Sequence, residues 1–216
     1  MNKTRNRRFA ILAASVLTVG ILAGSLLATA PKAAQAPTKS LENLQTAFNG
    51  ESNAHARYLA FAQKADEEGY GQVASLFRAA ARAEKFHAAN HAEVIKAMGG
   101  TPVADVKTPD VKSTRENLQA AIEGESYERD TMYPDFLKQA RRERNKAAIK
   151  TFNYAKTAET EHAKMYTQAL SNLDGLKGSS KMTYYVCTVC GYTTTKIDFD
   201  KCPSCFNPVD KYITVD

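Results

Sequence analysis

An all-α four-helix bundle followed by a small four-cysteine β-ribbon domain is the fold class this 216-residue sequence predicts, behind a hydrophobic N-terminal leader or anchor helix. Three observations carry that expectation. Residues 41–173 hold four long amphipathic segments of helical period. Within them Glu-x-x-His occurs twice, as Glu84-Lys85-Phe86-His87 and Glu159-Thr160-Glu161-His162, 75 residues apart. All four cysteines fall within 183–216, in two Cys-x-x-Cys pairs. The chain therefore divides into 1–40 (signal or anchor segment and linker), 41–173 (helical bundle), 174–182 (linker) and 183–216 (four-cysteine domain).

Phe9 to Ala30 is an uncharged, mainly apolar run of 22 residues behind Lys3, Arg5, Arg7 and Arg8. As a helix it is long enough to cross about 30 Å of hydrocarbon. Ala-x-Ala patterns end at Ala30 and Ala36, but Pro31 and Pro37 follow them, an arrangement expected to impede cleavage and retain the segment as an anchor. Asn6-Arg7-Arg8-Phe9-Ala10-Ile11 resembles a twin-arginine export signal, the route for proteins that fold with their cofactor before crossing. Basic residues stay on the cytoplasmic side, so the body is expected to be exported to a periplasmic or extracytoplasmic face, with membrane contact through this segment. The leader also explains the formal charge of +6: five of the 29 basic residues lie in 1–37 with no acidic residue, leaving 24 against 23. The body has no basic patch or nucleic-acid motif, and nucleic-acid binding is set aside on that ground.

The first helix is expected from about Leu41 to Glu68, with the stripe Leu41, Leu44, Phe48, Glu51, His55, Tyr58, Ala62. The second, about Gly71 to Met98, reads Val73, Phe77, Ala80, Glu84, His87, His91, Val94, Met98 in alternating steps of four and three. Ser113 with Glu116 makes an N-terminal capping signature for the third, which carries Leu118, Ile122, Glu125, Glu128, Met132 and Phe136. Pro134 should remove a backbone hydrogen bond and kink or bulge this helix near Tyr133. The fourth, about Lys146 to Leu173, reads Phe152, Ala155, Glu159, His162, Tyr166, Leu170, Leu173. Short turns at Glu68–Gly71 and Arg144-Asn145 flank a long connection, Gly99 to Lys112, and short, long, short is the connectivity of a ferritin-like bundle with one crossover.

Glutamates therefore sit on the seams that should face a core. Positions i and i+3 project from one helix face, so each Glu-x-x-His offers a carboxylate oxygen and an imidazole nitrogen to one point. An upstream glutamate repeats too, since Gly50-Glu51-Ser52 recurs 74 residues later as Gly124-Glu125-Ser126. Burying an unpaired carboxylate costs several kcal/mol, and five at core positions need a cation among them. The candidate ligands are Glu51, Glu84, Glu125, Glu128 and Glu159 with His87 and His162, a hard oxygen and imidazole set that suits iron or manganese. Tyr58, two turns from Glu51, is placed to hydrogen-bond near the metals, and Tyr133 is read the same way. His55 and His91 lie on the seams without completing a Glu-x-x-His and are read as core or outer-sphere histidines.

Cys187-Thr188-Val189-Cys190 and Cys202-Pro203-Ser204-Cys205, with eleven residues between them, form two knuckles able to close a tetrahedron on one metal. So short a segment buries too little surface to fold unaided, and metal binding is expected to stabilise it. Strand-like runs stand at Thr183–Val186 and Lys211–Val215. Zinc and iron both fit the spacing, and two disulfides are the competing reading for an exported chain.

The combination of Glu, Glu-x-x-His, Glu-x-x-Glu and Glu-x-x-His on four helices, followed by a four-cysteine ribbon, resembles the rubrerythrins over about 41–216. Gly50-Glu51-Ser52 with Arg57-Tyr58, Gly124-Glu125-Ser126-Tyr127-Glu128 with Met132-Tyr133-Pro134, and both Glu-x-x-His segments look like that family's ligand segments. Cys190-Gly191-Tyr192 and Cys202-Pro203 look like its rubredoxin-like knuckles. The resemblance implies a non-haem di-iron centre that reduces hydrogen peroxide to water, held by Glu51, Glu84, Glu125 and Glu159 with His162 on one iron. Glu128 and His87 would exchange as ligands of the other when its redox state changes. It further implies one iron, rather than zinc, in the Cys187/Cys190/Cys202/Cys205 site relaying electrons from an unidentified donor, and a homodimer in which one subunit's ribbon approaches the other's bundle. The membrane leader departs from a family that is typically cytosolic.

Two other functions compete. A ferroxidase would use the same bundle to oxidise ferrous iron with oxygen, but it needs neither Glu128 nor an attached electron relay. A non-enzymatic metal-binding adaptor with a structural zinc ribbon would be colourless. Within the duplication Glu128 has no counterpart, because the residue three after Glu51 is Ala54.

Overall fold

The computed structural model describes residues 38–216, and the leader expected at 1–37 lies outside them. Among the described residues no helix is long and apolar enough to cross a membrane. Helix α1 spans Lys39–Glu67, starting two residues earlier than the apolar stripe because the Thr38 side chain accepts from the Leu41 amide and caps it. Gly69, at φ +74, makes the tight turn into α2, Gly71–Ala97. The crossover that follows is strapped along α1: the amides of Asp105 and Lys107 donate to Asn49 Oδ1 at 2.8 Å and Asn53 Oδ1 at 2.9 Å.

Helix α3, Thr114–Tyr127, opens with the expected capping box of Ser113 and Glu116. Its continuation is a π-helical turn, Glu128–Met132, and only then does α4, Tyr133–Arg142, resume α-geometry. Pro134 is the reason. Its nitrogen carries no hydrogen, and beside it the Tyr133 amide reaches back five residues to the Glu128 carbonyl. The third helix of the bundle is thus α3, the π turn and α4 together. Asn145 caps α5, Lys146–Ser171, by accepting from the Ala148 amide.

The carboxylate-bearing turns divide the core. One apolar cluster gathers Tyr58, Phe61, Leu76, Phe77, Leu118 and Tyr166, and another gathers Leu44, Ile95, Tyr133, Leu137 and Phe152. Glu51, Glu84, Glu125 and Glu159 lie between residues of the two clusters on every helix, so the polar layer is sealed on both sides.

The ribbon is a three-stranded antiparallel sheet in the order β2-β1-β3, from β1 Tyr184–Cys187, β2 Thr193–Thr194 and β3 Tyr212–Val215. The two-residue β2 was too short to read from sequence. Tyr184 and Val186 of β1 join the Phe77 cluster, which sets the ribbon against its own chain's bundle. The linker explains it: the Gly178 amide donates to the Gly69 carbonyl at 2.8 Å and the Met182 amide to Ser75 Oγ at 3.2 Å, so β1 begins beside the start of α2.

Gly71 is where that linker comes closest. A β-carbon there would lie 2.4 Å from the Ser179 carbonyl oxygen and 2.9 Å from the Ser180 carbonyl carbon. Gly-to-Ala changes in helices ordinarily stabilise by up to about 1 kcal/mol where the backbone tolerates them. Gly71→Ala is expected to do the opposite and cost about 1–3 kcal/mol through overpacking. Urea unfolding followed by circular dichroism measures the sign, and a gain in stability would refute the clamp.

Candidate metal centre

Six of the seven predicted bundle ligands converge. Glu51, Glu84, His87 and Glu159 place one ligand atom each within 4.8 Å of one another, and so do Glu84, Glu125, Glu159 and His162. Glu84 and Glu159 belong to both groups, which makes a pair of adjoining cradles bridged by two carboxylates. None of these six side chains is more than 1% exposed. The seventh, Glu128, is half-buried and outside both groups. The charges of Glu125, Glu84, Arg57 and His87 act on it, and its own is the foremost charge acting on Glu51.

The two histidines are oriented from outside. His87 Nε2 lies 3.0 Å from the Cys190 carbonyl oxygen, which can only accept, so this nitrogen carries the hydrogen. Nδ1 is then the nitrogen left to take a metal or, in its place, a proton, and it points inward, 2.8 Å from Glu84 Oε2 and 3.2 Å from Glu159 Oε1. His162 is arranged alike, with Nε2 3.1 Å from Thr193 Oγ1 and Nδ1 3.0 Å from Glu159 Oε2 and 3.3 Å from Glu84 Oε1.

Each carboxylate of the layer retains one buried oxygen without a hydrogen-bond partner: Glu51 Oε2, Glu84 Oε1, Glu125 Oε2 and Glu159 Oε1. Four orphaned acceptors and two inward imidazole nitrogens are a donor set for cations, and for hard divalent metals in particular. The residues therefore fit the pair of metals expected there.

Two tyrosines bind the outer oxygens, each reaching across to the other half of the duplication. Tyr58 donates to Glu125 Oε1 at 2.7 Å, and Tyr133 donates to Glu51 Oε1. Burial first, then the neighbouring Glu125 or Glu51 charge, raises both phenols well above their ordinary range and keeps them protonated. His91, read from sequence as a core or outer-sphere residue, is fully buried with Nε2 3.2 Å from Tyr133 Oη and Nδ1 2.9 Å from Thr151 Oγ1. His55 lies apart, with Nδ1 2.6 Å from the Ala81 carbonyl.

Sequence reasoning missed Thr193, Thr151 and the Cys190 carbonyl. Nothing marks a backbone carbonyl in a sequence, and a lone threonine outside any seam has no signature.

In the ribbon all four cysteines are free thiols grouped within 4.8 Å. Sγ atoms of Cys187 and Cys205 are 3.7 Å apart and those of Cys190 and Cys202 3.5 Å. A tetrahedron of bonds near 2.3 Å has edges of about 3.8 Å, so the spacing suits one metal and is far from the ~2 Å of a disulfide.

Electrostatics of the layer sets a pH dependence. Burial first, then neighbouring carboxylates, raises Glu51, Glu128 and Glu159 well above the ordinary 4.5. Burial opposes charge on His87 and His162, yet contact with Glu84 raises His87 to about 9, and the Glu125 charge raises His162. Glu84 alone moves down, held ionised by the two imidazoles against its burial. In metal-free protein above pH 4.5, the folded state holds protons that the unfolded chain has released. Its stability is therefore expected to fall as pH rises from about 5 to about 9, whereas metal replaces those protons and removes the loss. Thermal circular dichroism of both forms across this range is the measurement, and a metal-free melting temperature that climbs with pH contradicts it.

The rubrerythrin family model matches residues 42–170. Nigerythrin of Nitratidesulfovibrio vulgaris is 40% identical over 174 residues, 80% of this chain and 85% of that one. Rubrerythrin-2 of Clostridium acetobutylicum is 37% identical over 170 residues, 78% of this chain and 92% of its own. The solved structure of fully reduced, all-ferrous nigerythrin superposes with a TM-score of 0.75 at 37% identity, covering 86% of this chain and 91% of that one. A Mycobacterium tuberculosis bacterioferritin, at 20% identity and a TM-score of 0.60, shares the ferritin-like fold. With two adjoining carboxylate–histidine cradles in the bundle and a four-thiolate cradle in the ribbon, this chain belongs to the rubrerythrin family of di-iron oxidoreductases.

Proposed function

We propose that this chain reduces hydrogen peroxide to water, H2O2 + 2 e− + 2 H+ → 2 H2O, with single electrons passing from the four-cysteine site to the bundle. Glu51, Glu84, Glu125, Glu159, His87 and His162 would hold two irons, and Cys187, Cys190, Cys202 and Cys205 a third. When bound, the iron pair supplies Lewis acidity and both electrons for O–O cleavage without release of a radical.

One observation carries this reading. The His87 imidazole reaches both sites, with Nδ1 among the carboxylates and its Nε2–H donating to the carbonyl of Cys190, itself a thiolate ligand. A ferroxidase takes its electrons from substrate iron and has no use for such a link. The link also favours iron over zinc in the ribbon, since zinc has no second oxidation state to relay.

Glu128 supplies the second argument. Half-buried, it is a spare carboxylate whose charge is felt by the layer, and an added carboxylate favours the ferric state where neutral imidazole suits the ferrous. Tyr58 and Tyr133 hold protons against ligand oxygens on both sides of the layer. The electron donor would meet the ribbon, where Cys205 is the least buried of the four cysteines. The basic and apolar leader supports an extracytoplasmic place for the chemistry, and the family likeness supports a homodimer.

Stopped-flow mixing of the reduced protein with peroxide and with oxygen tests the assignment. Peroxide is expected to react faster; preference for oxygen with ferric mineral build-up would make the chain a ferroxidase. In the same assay Glu128→Ala should lose roughly 10- to 100-fold in peroxide turnover with its iron content unchanged. Normal turnover at full occupancy removes Glu128 from the mechanism.

Gly191 offers a test of the link. It has φ +75, and a β-carbon on it would lie 2.2 Å from His87 Nε2. Gly191→Ala should push the knuckle off the bundle and slow reoxidation of the four-cysteine iron by the di-iron site, while the ferric–thiolate colour persists. Reoxidation at the wild-type rate argues for another route.

A further inference from the structure

Peroxide reduction consumes two protons per turnover, and the layer that would use them is closed to water: its six ligands are at most 1% exposed. We propose that Thr151, His91 and Tyr133 form the route by which protons reach it, a reading that rests on the peroxidase assignment. The route starts at a solvent-open pocket of about 350 Å³ between α2, α5 and Val189 of the ribbon, whose lining includes Thr151, Glu93 and Lys150. It ends at Glu51, a ligand of the first cradle.

The direction of every hydrogen bond along it follows from the last one. Tyr133 gives its single proton to Glu51 Oε1, so its oxygen can only accept from His91 Nε2, 3.2 Å away. Nε2 therefore carries the imidazole hydrogen and Nδ1 is bare. Thr151 Oγ1, 2.9 Å from Nδ1, must then be a donor. Three donors in series all point from the pocket towards the metals.

A proton moves inward by four transfers. The Tyr133 O–H bond breaks as its proton passes to Glu51 Oε1, where it is available to the peroxide oxygens. The Nε2 proton of His91 replaces it, Nδ1 takes the Thr151 proton, and a pocket water reprotonates Thr151. One proton leaves solvent and one reaches Glu51, with no net charge left on a relay residue. Each pass delivers one proton and leaves the two hydroxyls turned and His91 as its Nδ1–H tautomer.

The duplication provides an internal control. His91 stands seven residues after Glu84, and the residue seven after Glu159 is Tyr166. Thr151 stands eight before Glu159, and the residue eight before Glu84 is Leu76. On that side Tyr58 bonds Glu125, but Tyr166 Oη has no partner, and Leu76 and Phe77 close the way in the apolar core. The halves match in ligands and tyrosines and differ in whether a polar path reaches the surface.

Two measurements on the full chain test the route. The first, on zinc-loaded protein with 15N-labelled histidine, reads the tautomer of His91 among the four histidines by two-bond proton–nitrogen correlation, independently of turnover. The Nε2–H form is expected, and the Nδ1–H form overturns the relay. The second compares single-turnover oxidation by peroxide in H2O and D2O for wild type, Thr151→Val and Thr151→Ser. The valine variant should be slowed at least roughly tenfold with a larger solvent isotope effect and unchanged iron content, and serine should restore both. Wild-type rate and isotope effect in Thr151→Val also overturn it. Wild-type protein that ignores peroxide strikes the peroxidase reading instead, and the tautomer still decides whether the chain of donors points inward.

Discussion

Carboxylates buried side by side lose their hydration and repel one another, and Glu51, Glu84, Glu125 and Glu159 do both at no more than 1% exposure. Each such charge costs several kcal/mol unless paired, so a bundle built around four of them requires a permanent cationic partner. The rest of the architecture is arranged about that need. Apolar clusters on either side of the layer exclude water, which strengthens the hold of the carboxylates on metal. Every outward-facing group of the layer is met by a specific donor or acceptor: Tyr133 on Glu51, Tyr58 on Glu125, the Cys190 carbonyl on His87, Thr193 on His162.

Two of those partners belong to the ribbon, and this changes its role. By fixing the tautomers of His87 and His162, Cys190 and Thr193 decide which imidazole nitrogen is free to bind metal. The small domain thus shapes the large one's site as well as standing next to it. A ribbon that lost its own metal would loosen the knuckle bearing Cys190, and the disturbance would reach His87 through a single hydrogen bond. Ligand orientation and the electron relay proposed above share the same contact.

Helix positions, the crossover, the capping box and the convergence of six of the seven candidate ligands were legible because each rests on local pattern: a 3.6-residue seam, a Ser-x-x-Glu start, a repeated Glu-x-x-His. Buried glutamates were the loudest signal, since a charged residue on an apolar seam has few explanations. The ribbon's two-residue strand was silent, and so were the contacts between domains, because a backbone carbonyl or an isolated threonine carries no periodicity. His91 was visible as a seam residue, but its work depends on Tyr133 and Thr151, 42 and 60 residues away, and only folding shows that they meet. Pro134 announced a break in the third helix; what form the break would take followed only from the backbone.

That break is a single inserted residue, and the spacing of the duplicated halves measures it. Glu51 to Tyr58 is seven residues and Glu125 to Tyr133 is eight, while Tyr58 to Glu84 and Tyr133 to Glu159 are both 26. The halves differ by one residue between these landmarks, and the π turn Glu128–Met132 lies in the interval that holds it. Both tyrosines still reach the opposite glutamate, so the wider turn absorbs the extra residue without disturbing the layer. Its effect is local. In the uninterrupted helix the residue three after the ligand is Ala54, buried as packing; in the bulged one it is Glu128, half-buried with its carboxylate free of both cradles. A regular helix holds a side chain in the register its neighbours impose, whereas a π turn widens the backbone and shifts that register. The insertion therefore makes one copy of a symmetric metal clamp differ from the other by a carboxylate that stands outside both cradles.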